Sequence, residues 1–379
     1  MINITHKQNC SGCSACAQVC PKQCVMMRPD AEGFVYPYVN LSSCINCGLC
    51  ERVCPVLSPY KSKVPKATLA AQNMDDVIRR ESSSGGIFFM LAKNVLERDG
   101  IVFGVGYDSD WMPVHMSIDN IKDLHLLQTS KYVQSRVEDV YQKVREFLEG
   151  GKCVLFSGTP CQVSALNHFL NKGYELLYTV SVICHGVPSP QVWRDYIQDV
   201  NKCGKAISAI NFRDKTYGWS RFSLSVKYTD GTTFVEPLDK NAFLQAFLKN
   251  LFLRPSCYAC QAKSGSSNCD IELGDFWGVP QRVFSDDCGT SVVLVYTDKG
   301  QRLLNMGPFA VKPVKFTDVV KGNPCIERSV IRPPERALFW DNYFKYGIAG
   351  LYKTLVAVRP KVMLRIILWI KKIVKKILR

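Results

Sequence analysis

The sequence of 379 residues has no apolar run that approaches the about 18 residues needed for a transmembrane helix, so we expect none. It also has no solenoid repeat, no low-complexity segment and no nucleic-acid-binding motif. Without such a motif, an excess of positive charge is a poor argument for DNA or RNA binding. No apolar leader precedes the first cysteine, so no signal peptide is expected. These absences favour a globular cytoplasmic protein that does not bind nucleic acid.

Cysteine is abundant in an otherwise ordinary composition. Hydrophobic residues make up 47% and charged residues 21%, as in typical globular proteins. The 18 cysteines would predict disulfides in an exported protein. Because no leader is present and many cysteines have metal-binding spacing, we expect reduced thiols in the cytoplasm.

One cysteine pattern occurs twice near the N-terminus: three cysteines at three-residue steps, then a fourth that is followed by proline. In two-cluster ferredoxins the fourth cysteine of each run ligates the other cluster. We therefore predict two 4Fe-4S clusters, one held by Cys10, Cys13, Cys16 and Cys54 and the other by Cys44, Cys47, Cys50 and Cys20. Thiolates also suit zinc, but structural zinc sites usually combine two CxxC pairs across a longer spacer.

The rest of the chain divides by pattern. Residues 1–58 predict a ferredoxin-type domain, and residues 58–66 a proline- and lysine-containing linker. Strands alternate with helices over residues 67–205, which is typical of a parallel sheet covered on both faces. Residues 206–335 are richer in strands, and residues 336–379 are mostly helical. The expected fold class is an α+β ferredoxin-like iron–sulfur domain, then an α/β domain with a mostly parallel sheet and a helical C-terminal tail.

Several loops follow predicted strands, where open α/β sheets bind ligands. They cover residues 82–86, 130–135, 157–162 and 184–190, followed downstream by the Cys257-Tyr258-Ala259-Cys260 motif and residues 270–278. This set and its order resemble the coenzyme F-420 hydrogenase/dehydrogenase beta-subunit family over roughly residues 67–300, and many members carry a ferredoxin-like front end. The resemblance implies FAD, 4Fe-4S clusters and electron transfer between iron–sulfur carriers, the flavin and a second redox partner.

The 82–86 loop has the composition of a phosphate-binding helix start. Glycine permits close approach of the backbone, and free N–H groups at a helix N-terminus face an anion. An ordinary N-cap with a glycine turn is the alternative. With the resemblance, the expected cofactor-binding residues are Ser83, Ser84, Gly85, Gly86, Ser130, Lys131, Tyr132, Thr159 and Gln162. Lys131 and His185 are the candidates for catalysis, although a structural histidine would give the same pattern.

Four further cysteines predict a third 4Fe-4S cluster. Cys161 and Cys184 end two apolar strands, and Cys257 and Cys260 form a CxxC motif. Cys269 is a rival fourth ligand, but the family motifs include Cys161 and Cys184. The alternatives are small buried hydrophobic residues for the two strand-end cysteines, and zinc or a redox pair for the CxxC motif.

The sequence as a whole predicts an iron–sulfur flavoprotein oxidoreductase. Its electron donor would be a ferredoxin-type or other redox protein, and its acceptor a small organic molecule or a deazaflavin. The alternative is a non-catalytic electron-carrier subunit of a larger redox complex. A third interpretation, a metal-stabilised interaction protein, predicts no flavin. The sequence does not name the acceptor.

The net charge of +15 is concentrated in residues 359–379, which carry eight basic residues and no acidic residue. Apolar residues recur there at steps of three and four, so a helix would have one apolar face. This composition is typical of a helix lying on an anionic membrane. The alternative is a terminal helix that docks on the protein's own core. We therefore expect a cytoplasmic protein with peripheral contact at the inner face of the membrane.

We predict that the full chain sediments with anionic vesicles at low salt and less so at high salt, because each basic residue near such a surface contributes roughly 1 kcal/mol. A chain that ends at Val358 should stay in solution and keep its cofactors. If that truncation instead unfolds, the terminal helix belongs to the core and the membrane interpretation is wrong.

Overall fold

The computed structural model describes residues 1–280, 283–284 and 286–358. Thirteen strands lie in the described residues. They are β1 (Val25–Pro29), β2 (Val35–Val39), β3 (Ala67–Asn73), β4 (Ile101–Tyr107), β5 (Pro113–Ile118), β6 (Val154–Gly158), β7 (Leu177–Val182), β8 (Ile207–Asp214), β9 (Ser223–Tyr228), β10 (Thr233–Pro237), β11 (Ile271–Asp275), β12 (Ser291–Val295) and β13 (Phe309–Pro313).

Twelve α-helices accompany these strands in the described part of the chain. They are α1 (Ala15–Gln18), α2 (Leu49–Arg52), α3 (Asp76–Glu81), α4 (Ile87–Leu96), α5 (Val140–Glu149), α6 (Pro160–Leu170), α7 (Pro190–Val200), α8 (Ala242–Leu248), α9 (Asp298–Leu304), α10 (Phe316–Gly322), α11 (Glu335–Tyr346) and α12 (Ala349–Ala357). A 3-10 turn at Pro255–Ala259 carries part of the CxxC motif.

The central sheet has eight strands in the order β13-β3-β12-β11-β7-β6-β4-β5. Only the neighbours β4/β6, β6/β7 and β7/β11 are parallel, while the other four pairs are antiparallel. The prediction of a mostly parallel sheet was therefore wrong in this respect: the sheet is mixed. The registers nevertheless align β3, β4, β6, β7 and β11 in one direction, so their carboxyl ends meet at one edge.

Helices cover both faces of this sheet because its central strands are buried on both sides. Phe156 of β6 lies in a cluster with residues of α5 and α6. Leu155 of the same strand points to the other face, against α4 and α9. Period-2 alternation thus sends neighbouring apolar residues into two different cores.

The N-terminal cysteine-rich segment packs against the first of these faces. Its Cys13, Ala15 and Val53 belong to the same core cluster as Phe156. Gln18 joins it to α5, since its side-chain oxygen accepts the Tyr141 N–H at 2.9 Å. A buried ion pair between Glu32 and Arg336 adds a second attachment. The segment is therefore fixed to the sheet domain.

The strands predicted within residues 206–335 have two destinations. Strands β8, β9 and β10 form a separate antiparallel sheet. Its aromatic core includes Trp193, Phe212 and Phe243, with α7, α8, α11 and α12 packed around it. Strands β11, β12 and β13 instead join the eight-stranded sheet, which therefore draws strands from both sides of residue 205.

The predicted membrane-surface helix at residues 359–379 lies outside the described residues. In the part of the chain that the structure covers, no helix is both long and apolar enough to span a membrane.

We predict that Leu155→Ala lowers the free energy of unfolding by about 2–5 kcal/mol, because a buried leucine leaves a cavity in the rigid sheet core. Leu176→Ala is the matched control, since Leu176 is 43% exposed just before β7 and should cost less than about 0.5 kcal/mol. Anaerobic denaturant titrations measure both. Equal losses would contradict the assignment of Leu155 to the core.

Candidate metal centres

Three groups of thiols are central to the candidate site. The outer group consists of Cys20, Cys44, Cys47 and Cys50, which line one cavity of the N-terminal segment. Gly48 and Asn46 have positive φ angles of 73° and 52°, which turn the chain so that this loop folds around the cavity. The Ile2 N–H donates to Cys50 Sγ at 3.2 Å. Cys47 is exposed, so the outer group reaches the protein surface.

Cys24 is a fifth thiol in the outer cavity. Its Sγ lies 3.3 Å from Cys20 Sγ, and it is buried. The hydrogen bond to Cys20 is the main cause that raises the pKa of Cys24, to about 11. Sequence spacing gave Cys24 no ligand role, and no short-range signal would have revealed this contact.

The second thiol group, called the inner group, consists of Cys10, Cys13, Cys16 and Cys54. Its first three members are buried and Cys54 is half-buried. Burial raises the pKa of Cys13 to about 12, and the neighbouring thiols of Cys10 and Cys54 act in the same direction. Cys54 therefore neighbours the thiols of the first run, and Cys20 lines the cavity of the second run.

The third thiol group, called the cleft group, brings together Cys161, Cys184, Cys257 and Cys260. Cys161 lies in the first turn of α6 after β6, and Cys184 follows β7. Because these strands are parallel neighbours, their carboxyl ends deliver both thiols to one edge. The 3-10 turn brings Cys257 opposite them. The cleft has about 760 Å³ of space, part of it open to solvent.

Cys269, the rival for this group, lies elsewhere. It is buried beside Glu272 and bonded to the hydroxyls of Ser267 and Ser181. Burial raises its pKa to about 12. Cys269 does not line the cleft.

Polar groups surround the cleft thiols. Burial raises the pKa of Cys184 and raises that of Cys257 to about 12, so these thiols hold their protons at neutral pH until a metal displaces them. The Val187 N–H donates to Cys257 Sγ at 3.4 Å. Lys263 Nζ donates to the Cys184 carbonyl at 2.6 Å. Burial lowers the pKa of Lys263, but the surrounding thiols outweigh burial and raise it.

A single-metal arrangement is absent from the described residues. Structural zinc needs four donors that converge at about 2.0–2.3 Å. Within residues 1–280, 283–284 and 286–358, no group of three or more His, Cys, Asp or Glu side chains is arranged to hold one metal ion.

His185 lies at the cleft next to Cys184. Its Nε2 is 2.6 Å from Asn250 Oδ1, and its ring meets Phe247 edge-on. Burial lowers its pKa, so the neutral ring is favoured. Phe247 separates it from the ring of Tyr132. These contacts account for the position of His185 without any role in proton transfer.

The three loops predicted to contact a flavin lie together. The Ser130 N–H donates to Ser83 Oγ at 2.8 Å, so the 82–86 loop touches the 130–135 loop. Ser84 Oγ donates to the Thr290 carbonyl. A Cβ on Gly85 would lie 2.5 Å from the Ala71 carbonyl oxygen, so close packing against β3 requires glycine there.

Helix α4 begins beside these loops. Its N-cap is Gly86, with φ of 78° and no capping side chain, so N–H groups remain for an anion. Lys131 Nζ donates to the Leu126 carbonyl at 2.8 Å, and burial lowers the pKa of Lys131 to about 7. Tyr132 packs its ring on Phe247 and accepts a hydrogen bond from Arg213.

Thr159 and Gln162 lie at the start of α6, and Gln162 Nε2 donates to Ser135 Oγ of the 130–135 loop at 3.0 Å. They form the capping box of α6: the Thr159 N–H donates to Gln162 Oε1 at 3.0 Å. Thr159 Oγ1 also lies 3.2 Å from Cys161 Sγ. Both residues therefore orient the helix turn that carries Cys161.

Two buried cations near Ser83 and Ser84 escaped the sequence analysis. Arg213 makes a two-pronged ion pair with Asp275 at 2.8 and 2.9 Å and donates to the Ser83 carbonyl. Lys215 Nζ donates to the Ser84 carbonyl at 2.9 Å. Burial, aided by Arg213, lowers the pKa of Lys215 to about 7. Lys215 also donates to the carbonyls of Arg79 and Cys288, so both cations, like the serine hydroxyls, already have protein partners.

Two family models match parts of this chain. Residues 151–313 match the family model for the C terminus of the coenzyme F420 hydrogenase/dehydrogenase beta subunit, and residues 9–57 match the 4Fe-4S dicluster domain. The chain is also similar to a chain in a solved xenon-derivatised F420-reducing NiFe hydrogenase complex from Methanosarcina barkeri. That similarity has 20% identity and a TM-score of 0.45, and covers 73% of this chain and 97% of the other. A search of curated proteins found no match.

We predict that Cys257→Ser lowers the iron content of the anaerobically purified chain from about twelve to about eight atoms, because each 4Fe-4S cluster holds four. Cys269→Ser is the matched control: it is a more deeply buried thiol outside the cleft and should keep all the iron. Iron and acid-labile sulfide assays measure both. Loss of four iron atoms on Cys269→Ser would make Cys269 the ligand instead.

Proposed function

We propose that this chain, which belongs to the coenzyme F420 hydrogenase/dehydrogenase beta-subunit family over residues 151–313, is an iron–sulfur electron-transfer protein that serves a redox site in its α/β domain. The observation that carries this proposal is the contiguity of the three thiol groups. Cys16 of the inner group neighbours Cys50 of the outer group. Cys13 of the inner group neighbours Cys161 of the cleft group.

The difference in exposure between the thiol groups indicates where electrons would enter the chain. Cys47 of the outer group is exposed, whereas Cys10, Cys13 and Cys16 are buried. An external redox protein can therefore approach the outer group most closely, and the inner group lies between it and the cleft. When bound, 4Fe-4S clusters take up and release single electrons. The outer and inner ligand sets would be those of crossed ligation, with the cleft thiols holding a third cluster.

The chain itself supplies donors to the ligand sulfurs. Backbone N–H groups of Ile2 and Val187 point at Cys50 Sγ and Cys257 Sγ. Hydrogen bonds to ligand sulfur stabilise negative charge and are one means by which a protein sets a cluster's reduction potential. The outer and cleft groups thus each have a backbone donor that could tune a bound cluster.

The surface beside the outer group suits an electron donor of the ferredoxin type. Ile45 is 58% exposed beside Cys47 at the cavity rim, and Lys22 is an exposed cation on the same rim. An apolar contact beside a positive charge favours an acidic redox protein, because complementary charge speeds association. Peripheral contact with an anionic membrane through residues 359–379 is a separate part of the proposal, as is a cytoplasmic location.

FAD is the second cofactor that we propose, with its diphosphate at the N-terminus of α4 near Lys131 and Tyr132. The support is the family resemblance together with the open helix N-terminus and nearby cations. A flavin supplies the exchange between single electrons and a hydride. Lys131 can hold or release a proton near neutral pH because its pKa is about 7. The acceptor would be a small organic molecule or a deazaflavin, with Lys131 as the candidate residue for catalysis, since the contacts of His185 are those of a structural histidine.

We predict that Lys131→Met weakens flavin binding about tenfold or more, since a hydrogen bond to a charged group contributes about 1.5–3 kcal/mol. Because the Lys131 pKa is lowered to about 7, the ammonium is charged at pH 6 and largely neutral at pH 8. The wild-type protein should therefore bind FAD more tightly at pH 6, and Lys131→Met should lose that dependence. Fluorescence titration of the anaerobically purified chain measures both.

The exposed lysine Lys122 provides the control, and Lys122→Met should bind FAD as the wild type does. A chain that holds its clusters but binds no flavin at either pH would favour the alternative, an electron-carrier subunit whose catalytic partner is a separate chain. A purified chain that contains zinc in place of iron and sulfide would contradict the electron-transfer proposal.

A further inference from the structure

Arg254 is fully buried between the inner and cleft thiol groups. It immediately precedes the 3-10 turn that contains Cys257 and itself lines the cleft. Its Nε donates to the Cys10 carbonyl at 2.7 Å, and its Nη2 lies 3.6 Å from Cys10 Sγ. One guanidinium therefore touches a ligand of the inner group while it borders the thiols of the cleft.

The remaining partners of Arg254 are neutral. Nη1 donates to Gln134 Oε1 at 2.9 Å and Nη2 to the Val35 carbonyl at 2.8 Å. The Tyr36 ring lies 4.5 Å from its central carbon. A Cβ on Gly12 would lie 2.6 Å from Nη1, so the first cysteine loop packs directly on the guanidinium.

Two other buried arginines show what Arg254 lacks. Arg213 pairs with Asp275, and Arg336 pairs with Glu32. Among the ion pairs of residues 1–280, 283–284 and 286–358, none includes Arg254. Burying a charge is costly unless an opposite charge compensates it. The groups beside Arg254 that become negative on metal binding are the thiols of the inner and cleft groups.

We propose that Arg254 is a positioning residue that serves two clusters at once: the negative charge of the inner and cleft clusters is its counter-ion, and its cation raises both reduction potentials. This inference rests on the proposed electron-transfer function. A fixed positive charge in a poorly screened interior stabilises the reduced cluster, which carries one more electron, over the oxidised one. A shared cation therefore keeps the two potentials high together.

The test is a redox titration of the full chain with its clusters in place, followed by electron paramagnetic resonance. Arg254→Gln removes the charge but keeps hydrogen-bonding capacity. It should move the midpoint potentials of the inner and cleft clusters to more negative values and leave that of the outer cluster unchanged, since Arg254 contacts none of the outer cysteines. Arg254→Lys, which keeps the charge, should lie closer to the wild type. Cys47→Ser identifies the outer signal.

Arg336→Gln is the matched control. It removes another buried arginine that ties the N-terminal segment to the sheet domain, through Glu32 and the Leu253 carbonyl, but it touches no thiol in these contacts. Its three midpoint potentials should match the wild type. Equal shifts in Arg336→Gln and Arg254→Gln, unchanged potentials in Arg254→Gln, or loss of all clusters from both Arg254 variants would overturn the proposal, because the guanidinium would then serve only folding.

The iron content of the wild-type chain distinguishes a failure of the Arg254 inference from a failure of the proposed function. A wild-type chain with about eight iron atoms would remove the cleft cluster from the proposed function. The inner cluster would still test Arg254 against the outer one. Normal iron with no selective shift in Arg254→Gln would overturn this inference alone.

Discussion

The attachment of the cysteine-rich segment to the sheet edge is the constraint on which the other features depend. Arg336 makes an ion pair with Glu32, and Arg254 donates to the carbonyls of Cys10 and Val35. Arg254 immediately precedes the 3-10 turn of the CxxC motif, and Arg336 lies in α11. Their bonds therefore hold the inner thiols against the cleft. Without that contact the chain would hold an isolated iron–sulfur domain, and the exposed outer group would have no continuous route to the α/β domain.

The sheet contributes the other half of this geometry through strand direction. Parallel β6 and β7 bring Cys161 and Cys184 to one edge, and β11 brings Asp275 to the same edge. Mixed pairing does not disturb this, because β12 and β13 return antiparallel between or beside strands that still point the same way. The position of the ligand-binding loops depends on where the carboxyl ends of the strands meet. A mixed sheet can therefore place these loops at one edge, as a parallel sheet does.

What the sequence predicted well was local. The alternation of strands and helices expected over residues 67–205 is present, as β3, β4, β6 and β7 with helices between them, because short apolar runs and a proline at a helix start are strong local signals. The cysteine runs were as clear. Strand β11 was missed because Ile271-Glu272-Leu273-Gly274 carries a buried carboxylate and a glycine. Arg213 and Arg254 were also missed, since their partners lie 62 and 244 residues away. Contacts between residues so far apart in the chain produce no periodic pattern in the sequence.

The electrostatics of the buried groups link cluster binding to folding. Protonated thiols are neutral, so before metal binding the burial-raised pKa values of Cys13 and Cys257 leave Arg254 with no negative neighbour among its bonded partners. A buried uncompensated ion costs several kcal/mol, an appreciable part of the roughly 5–15 kcal/mol that stabilise a domain. Metal binding deprotonates the thiols and so supplies the missing charge at the place where the two parts of the chain meet. If both thiol groups bind metal as proposed, the arrangement of inner thiols, cleft thiols and Arg254 is most stable in the metal-bound chain, and the same charges maintain the contact between the two parts of the chain.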